Sequence, residues 1–189
     1  MSGKQLQTFL YFAYGSNLLG QRILLQNPTA VRRGIGKLND HRLDFNYYSK
    51  RWGGCSATVV PHVGKHVWGA VWEIDKSQMD NLDKQEGVDA KIYEAVQVDV
   101  VSGGHDNNEI LDCRVYKLLD QPDPYETASK LPESRRPSRV YLETILQGAI
   151  ESKLPNDYFD FLKCFPHNGF SGPVEVPGLN ITFTWTEER

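Results

Sequence analysis

Residues 8–26 read TFLYFAYGSNLLGQRILLQ. The run from Thr8 to Tyr14 is aromatic and apolar, which predicts a buried strand. Gly15-Ser16-Asn17 follows at once. Leu18, Leu19, Ile23, Leu24 and Leu25 then recur at helical spacing until Asn27-Pro28 stops the run. Strand, Gly-Ser-Asn, helix is a layout that can hold an anion. The first helical N–H groups have no internal partner, and the helix dipole adds partial positive charge beside them. Gly15 permits a sharp turn, and Ser16 or Asn17 is expected to cap the helix. An ordinary helix start would use the same residues, so local chemistry leaves both readings open.

Outward from this segment the chain is mostly strand. AVRRGIGKL and HRLDFNYY predict a strand pair joined near Asn39-Asp40, and CSATVVP and HVWGAVWEI predict two more strands. SQMDNLDKQE reads as a short helix capped by Asp75 or Ser77 and ended by Gly87. IYEAVQVDVV and EILDCRVYKLL are strands around a Gly-Asp-Asn loop. QPDPYETASKLPESRRPS has no periodicity and reads as a loop or lid. SRVYLETILQGAI and PNDYFDFLKCF are short helices that close the core. Few strands are joined by long helices, which indicates an α+β fold, and so many short strands can curl into a small barrel that removes exposed edges.

The 189 residues fit one domain, with 1–8 and 173–189 expected to be flexible or peripheral. Apolar content of 40% and charged content of 24% are those of an ordinary globular protein. The net charge of −3 gives no reason to expect nucleic acid or an acidic membrane as partner, and no apolar run approaches the ~20 residues of a span. MSGKQLQTF lacks a signal-peptide core, so a cytoplasmic protein is expected. Cys55, Cys113 and Cys164 form an odd set without a CxxC and are expected to be reduced and buried. His62 and His66 flank Gly64 before a strand, a poor arrangement for a metal. Gly15 and Gly20 have P-loop spacing, but Gln21-Arg22 stand where Lys and a hydroxyl are needed; Gly34-Ile35-Gly36 lies inside a strand.

Glu86 is the second chemical feature. It ends the short helix, where carbonyl oxygens disfavour a charged carboxylate. If partly buried, its pKa rises toward the range of a general acid and base at neutral pH. A surface glutamate beside Lys84 is the plainer alternative. Asp83 is a weaker candidate on a different side of the helix.

Together FLYFAYGSNLL and LDKQEGV resemble the signature loop and the catalytic-glutamate segment of the gamma-glutamylcyclotransferase family, and VWGAVWEI, CRVY, PSRVY with its following GA, and LPNDYFDFLK extend the resemblance over roughly residues 9–172. The resemblance implies a small mixed β-barrel with flanking helices, and release of 5-oxoproline and a free amino acid from a γ-glutamyl amino acid. It implies no organic cofactor, no metal, and a homodimer. It assigns Glu86 as the catalytic acid and base. It assigns Tyr11, Phe12, Ala13, Tyr14, Gly15, Ser16, Asn17 and Tyr141 to the substrate, with Tyr93 nearby.

Two stretches depart from the family pattern. WGGCSATVV is one residue longer than Gly-Gly-x-Ala-Thr, and the segment 120–136 is basic near Arg135-Arg136-Arg139, of which Arg139 is a candidate partner for the carboxylate of the released amino acid. Both bear on substrate choice. The competing readings are a γ-glutamylamine cyclotransferase and a binding or regulatory module that keeps the fold without turnover.

Overall fold

The computed structural model describes residues 7–103 and 108–183. Five strands, β1 (Thr8–Ala13), β2 (Val31–Ser49), β3 (Gly54–Asp75), β4 (Tyr93–Ser102) and β5 (Ile110–Leu118), close into a barrel in the order β1-β3-β2-β4-β5. Neighbours are antiparallel except at the seam, where β5 meets β1 in parallel with Tyr11 opposite Arg114. Closure satisfies the edges that an open sheet of this kind would leave bare. Four helices flank it: α1 (Gly20–Leu24), α2 (Met79–Gln85), α3 (Arg139–Glu151) and α4 (Asn156–Lys163). This is the α+β barrel that the strand count and the resemblance indicate.

Three local readings need correction. The expected helix after Asn17 is broken. A single 3-10 turn, Ser16–Leu18, is followed by Leu19 in extended conformation and only then by α1. Neither Ser16 nor Asn17 caps it with a side chain. The buried Asn17 amide is drawn inward instead, toward a tyrosine and a carboxylate.

The two expected strand pairs are also two continuous long strands. At Asn39/His41 the register of β2 against β3 slips rather than reverses. Asp40 takes a left-handed conformation (φ 54°), residues 62–65 have no partner on β2, and the Gly64 amide donates to Asp40 Oδ1 at 2.9 Å. Turn-like residues here bend a ribbon as a bulge. Gly36, read above as half of a glycine pair, sits where β2 meets β4. A Cβ there would come within 2.2 Å of Val100 Cγ1, so a larger residue would force Val100 aside.

The third correction concerns the thiols. Cys55 and Cys113 are buried, but Cys164 is exposed, and all three are free. Thr8 already pairs with Asp75 in β1, and Val176 and Leu179 tuck into the core. Of the ends expected to be flexible or peripheral, residues 1–6 and 184–189 lie outside the described residues, as do residues 104–107.

Phe12, Phe45, Ile74, Tyr116, Ile145 and Leu162 fill the barrel and the helix interface. Among the described residues no helix is long and apolar enough to cross a membrane.

Candidate active site

The chain leaves β1 at Ala13, so Tyr14 escapes the strand alternation and turns to the same side as Tyr11. Both line a recess at the barrel end, with Gly15, Ser16, Asn17, Ala57, Glu86, Tyr93, Tyr116 and Tyr141. Phe12 and Ala13 do not: both are wholly buried in the core. The residues named from the sequence are otherwise brought together from four places: the β1 end, the 3-10 turn, the end of α2 and the first turn of α3.

Local structure sets each group. Asp75 caps the turn before α2 by accepting from the Ser77 amide at 2.8 Å, and Glu86 is the residue at which that helix stops. Asp83 points elsewhere. Its two oxygens accept from Arg114 Nη2 at 2.7 and 2.8 Å and it also receives the Tyr116 hydroxyl, so it fastens α2 to β5. Ser138 Oγ accepts from the Tyr141 amide at 3.1 Å, capping α3 and fixing Tyr141 in its first turn. Trp52 packs on the Tyr141 ring, with centroids 4.9 Å apart.

The tyrosines differ in what their hydroxyls bond. Tyr14 donates its hydroxyl to the Tyr116 carbonyl, and Tyr93 donates to the Ala57 carbonyl at 2.7 Å. Their protons are committed. Tyr141 Oη accepts from the Ala57 amide at 3.1 Å, and Tyr11 Oη accepts from Asn17 Nδ2 at 3.1 Å. Each of these two keeps an O–H to give. Burial pushes the Tyr141 and Tyr11 phenols well up, so both are neutral donors near pH 7. Neither the Gly15 nor the Asn17 amide makes a backbone hydrogen bond among the described residues.

Asn17 Nδ2 also donates to Glu86 Oε1 at 3.2 Å, linking the turn to the carboxylate. The Glu86 side chain is partly covered and lines the recess. Desolvation raises its pKa from 4.5 to about 7; Arg22 and Arg51 pull the other way, and Asp83 adds to the rise. Burial thus brings this carboxyl's pKa close to neutrality.

Ser16, Glu86, Tyr93 and Tyr141 also wall a second, outer cavity. The inner recess measures about 40 Å³ and the outer about 260 Å³. Arg22, Arg51 and Lys84 line the outer one. The candidate Arg139 lines neither; its guanidinium lies over the Phe183 ring at 4.8 Å. Arg135 of the basic segment reaches the buried Asp44 at 3.7 Å. Sequence reading missed Arg22 and Arg51. An arginine amid the leucines of 18–25 was a visible signal for the first; the turn at 50–53 carried none for the second. Among the described residues no cluster of His, Cys, Asp and Glu could hold a metal ion.

Comparison with known proteins agrees on one family. The model of the AIG2-like family matches residues 66–162. A gamma-glutamylcyclotransferase from Mus musculus is 39% identical over 177 residues, 92% of this chain and 87% of that protein. One from Homo sapiens is 38% identical over 178 residues, with the same coverage. A solved gamma-glutamyl cyclotransferase structure superposes with a TM-score of 0.77 at 37% identity, covering 89% of this chain and 94% of that one.

Proposed function

Because the chain belongs to the gamma-glutamylcyclotransferase branch of the AIG2-like family, we propose that it releases 5-oxoproline and a free amino acid from γ-glutamyl amino acids by the chemistry that follows. The observation that carries the chemistry is the meeting of Glu86, at a pKa of about 7, with the amide-bearing turn at 15–17 through Asn17.

The substrate brings its own nucleophile. Its α-amine attacks its γ-carbonyl, a five-membered lactam closes, and the bond to the leaving amine breaks. No water is consumed and no enzyme nucleophile is needed. Alignment of the two ends of the glutamyl chain can supply on the order of 7–11 kcal/mol of the barrier. Glu86 takes the proton from the α-ammonium, whose ordinary pKa is about 8, and returns one to the departing nitrogen. The Gly15 and Asn17 amides, with the Tyr141 hydroxyl, hold the α-carboxylate or the oxyanion that develops on the carbonyl. The inner recess suits the glutamyl head, and the outer cavity the variable half.

The test is release of 5-oxoproline from γ-glutamyl-L-alanine. Failure on every γ-glutamyl amino acid, with turnover of a γ-glutamylamine, would transfer the reading to the amine-releasing reaction. Binding without turnover of either would make the protein a binding module. Tyr141→Phe is expected to lower kcat/KM about tenfold, the loss of one hydrogen bond to a charged group. Unchanged kinetics in that variant would remove the hydroxyl from substrate contact and leave Tyr141 a packing residue.

A further inference from the structure

The outer cavity carries more charge than the reaction just described uses. Arg22, Arg51 and Lys84 face it against a single carboxylate, Glu86. Cyclisation needs the proton exchange at Glu86, which Arg22 and Arg51 bias toward the charged form, and the donors of the inner recess; it does not by itself need a net positive outer wall.

The three differ. Lys84 is exposed, a solvated point charge at the rim. Arg22 is buried at 2% exposure, and with the Gln85 amide oriented so that its oxygen faces the guanidinium, that oxygen accepts from Arg22 Nη2 at 2.9 Å and Nη1 at 3.2 Å; only its Nε has no partner among the described residues. Arg22 is therefore held by its neighbours and lends the cavity a fixed buried charge. Arg51 is partly covered, and its guanidinium makes neither a hydrogen bond nor an ion pair with any described residue. Glu175 shares the space behind Arg22 and Arg51 without coming within ion-pair distance of either.

Arg51 is also held in place. It sits in the turn between β2 and β3, closed by the Gly53 amide donating to the Ser49 carbonyl at 2.8 Å. The neighbouring Trp52 is buried against Tyr141, and Asn168 Nδ2 donates to the Gly53 carbonyl at 2.8 Å. A planar fork of donors on a fixed turn, facing a cavity that adjoins the reacting carboxylate, is suited to a carboxylate rather than to a neutral group.

We propose that Arg51, with Arg22 behind it, binds the α-carboxylate of the amino acid that leaves, and so makes the enzyme choose γ-glutamyl amino acids over γ-glutamyl amines and amides. This rests on the cyclisation reading and adds to it the residue that recognises the leaving amino acid. The substrate then spans both cavities, its glutamyl carboxylate inside and its second carboxylate outside, with Glu86 between them at the bond that breaks.

The experiment compares γ-glutamyl-L-alanine with γ-glutamyl-L-alaninamide, which differs only in that carboxylate. The wild type is expected to prefer the acid at least tenfold in kcat/KM. Arg51→Ala is expected to lower that preference at least tenfold, chiefly through KM for the acid, and Arg51→Lys to restore part of it. Circular dichroism melting checks that the variants fold. If the wild type treats the two donors alike, or if Arg51→Ala keeps the full preference while turning both over, the assignment to Arg51 is wrong and the cyclisation stands. If the wild type releases 5-oxoproline from neither, the cyclisation itself is wrong, and the subsite with it.

Discussion

Glu86→Gln is expected to lower turnover of γ-glutamyl-L-alanine by at least ~10²-fold while leaving substrate affinity close to that of the wild type, the loss typical of removing a general acid and base. The amide keeps the size of the side chain and an oxygen for Asn17, which approaches Glu86 Oε1 at 3.2 Å. It cannot carry the proton. The pH profile sharpens the test. The wild-type kcat/KM is expected to fall about tenfold per unit below a pKa of about 7, because the protonated carboxyl accepts nothing. The variant loses that limb.

Its stability should move in the opposite sense. The folded pKa of Glu86 lies above the usual 4.5, so the native state favours the neutral form. Its relative contribution is full below 4.5, declines as pH rises from 4.5 to about 7, and is gone above that. The rise corresponds to roughly 3 kcal/mol. Glu86→Gln should therefore melt higher than the wild type at pH 8 and no higher at pH 4. A variant that is inactive yet gains nothing at pH 8 would mean that Glu86 is not desolvated as described. One with near-normal turnover would remove it from the reaction.

The sequence disclosed the barrel more readily than its ribbon. Strand composition and spacing marked most of the segments that close it, because alternation survives in a barrel wall. Continuity of β2 and β3 was hidden, because Asn39-Asp40 and the residues around Gly64 have turn chemistry and the fold uses them as a bulge, tied by one bond from the Gly64 amide to Asp40. The broken helix after Asn17 was hidden for another reason. Periodicity in Leu18, Leu19 and Ile23 reports burial, and a 3-10 turn followed by a short helix buries them as well as one helix would.

The candidate site divides along the same line. Glu86 and the turn at 15–17 were legible because helix ends and glycine-polar turns have local signatures. Which tyrosine still has a proton to give was not: Tyr14 and Tyr93 spend theirs on carbonyls of Tyr116 and Ala57, partners that only barrel closure supplies. Arg51 comes from a turn with no periodicity, and tertiary contacts, the packing of Trp52 on Tyr141 and the Asn168 bond to Gly53, set it beside Glu86.

Gly148→Ala is expected to cost about 10²-fold in kcat/KM and to lower the melting temperature, although alanine is the better helix former. Gly148 is where α3 lies against the 3-10 turn that carries the amides. A Cβ there would fall 2.5 Å from Leu18 Cβ, 2.6 Å from Leu19 N and 2.7 Å from Leu18 C. Alanine gains about 1 kcal/mol of helix propensity. Overpacking a tight core contact costs about 1–3 kcal/mol, and the upper end applies where backbone atoms cannot rotate aside. The clash therefore wins. The turn cannot retreat freely: Ser152 Oγ and Arg32 Nη2 both donate to the Leu18 carbonyl at 3.2 Å, and Glu151 Oε1 accepts from the Gly20 amide at 3.1 Å. Strain is relieved by tilting the turn, which shifts the Gly15 and Asn17 amides relative to Glu86. Displacement of about 1 Å in a positioning element is enough for a 10²-fold loss. Leu162→Ala is the comparison. It empties a fully buried site on α4, away from the turn, and should cost about 2–5 kcal/mol of stability while the folded fraction keeps its kcat/KM. If Gly148→Ala turns over like the wild type, or if Leu162→Ala loses as much activity per folded molecule, the close seat of α3 on the turn is not what aligns the amides with the carboxylate.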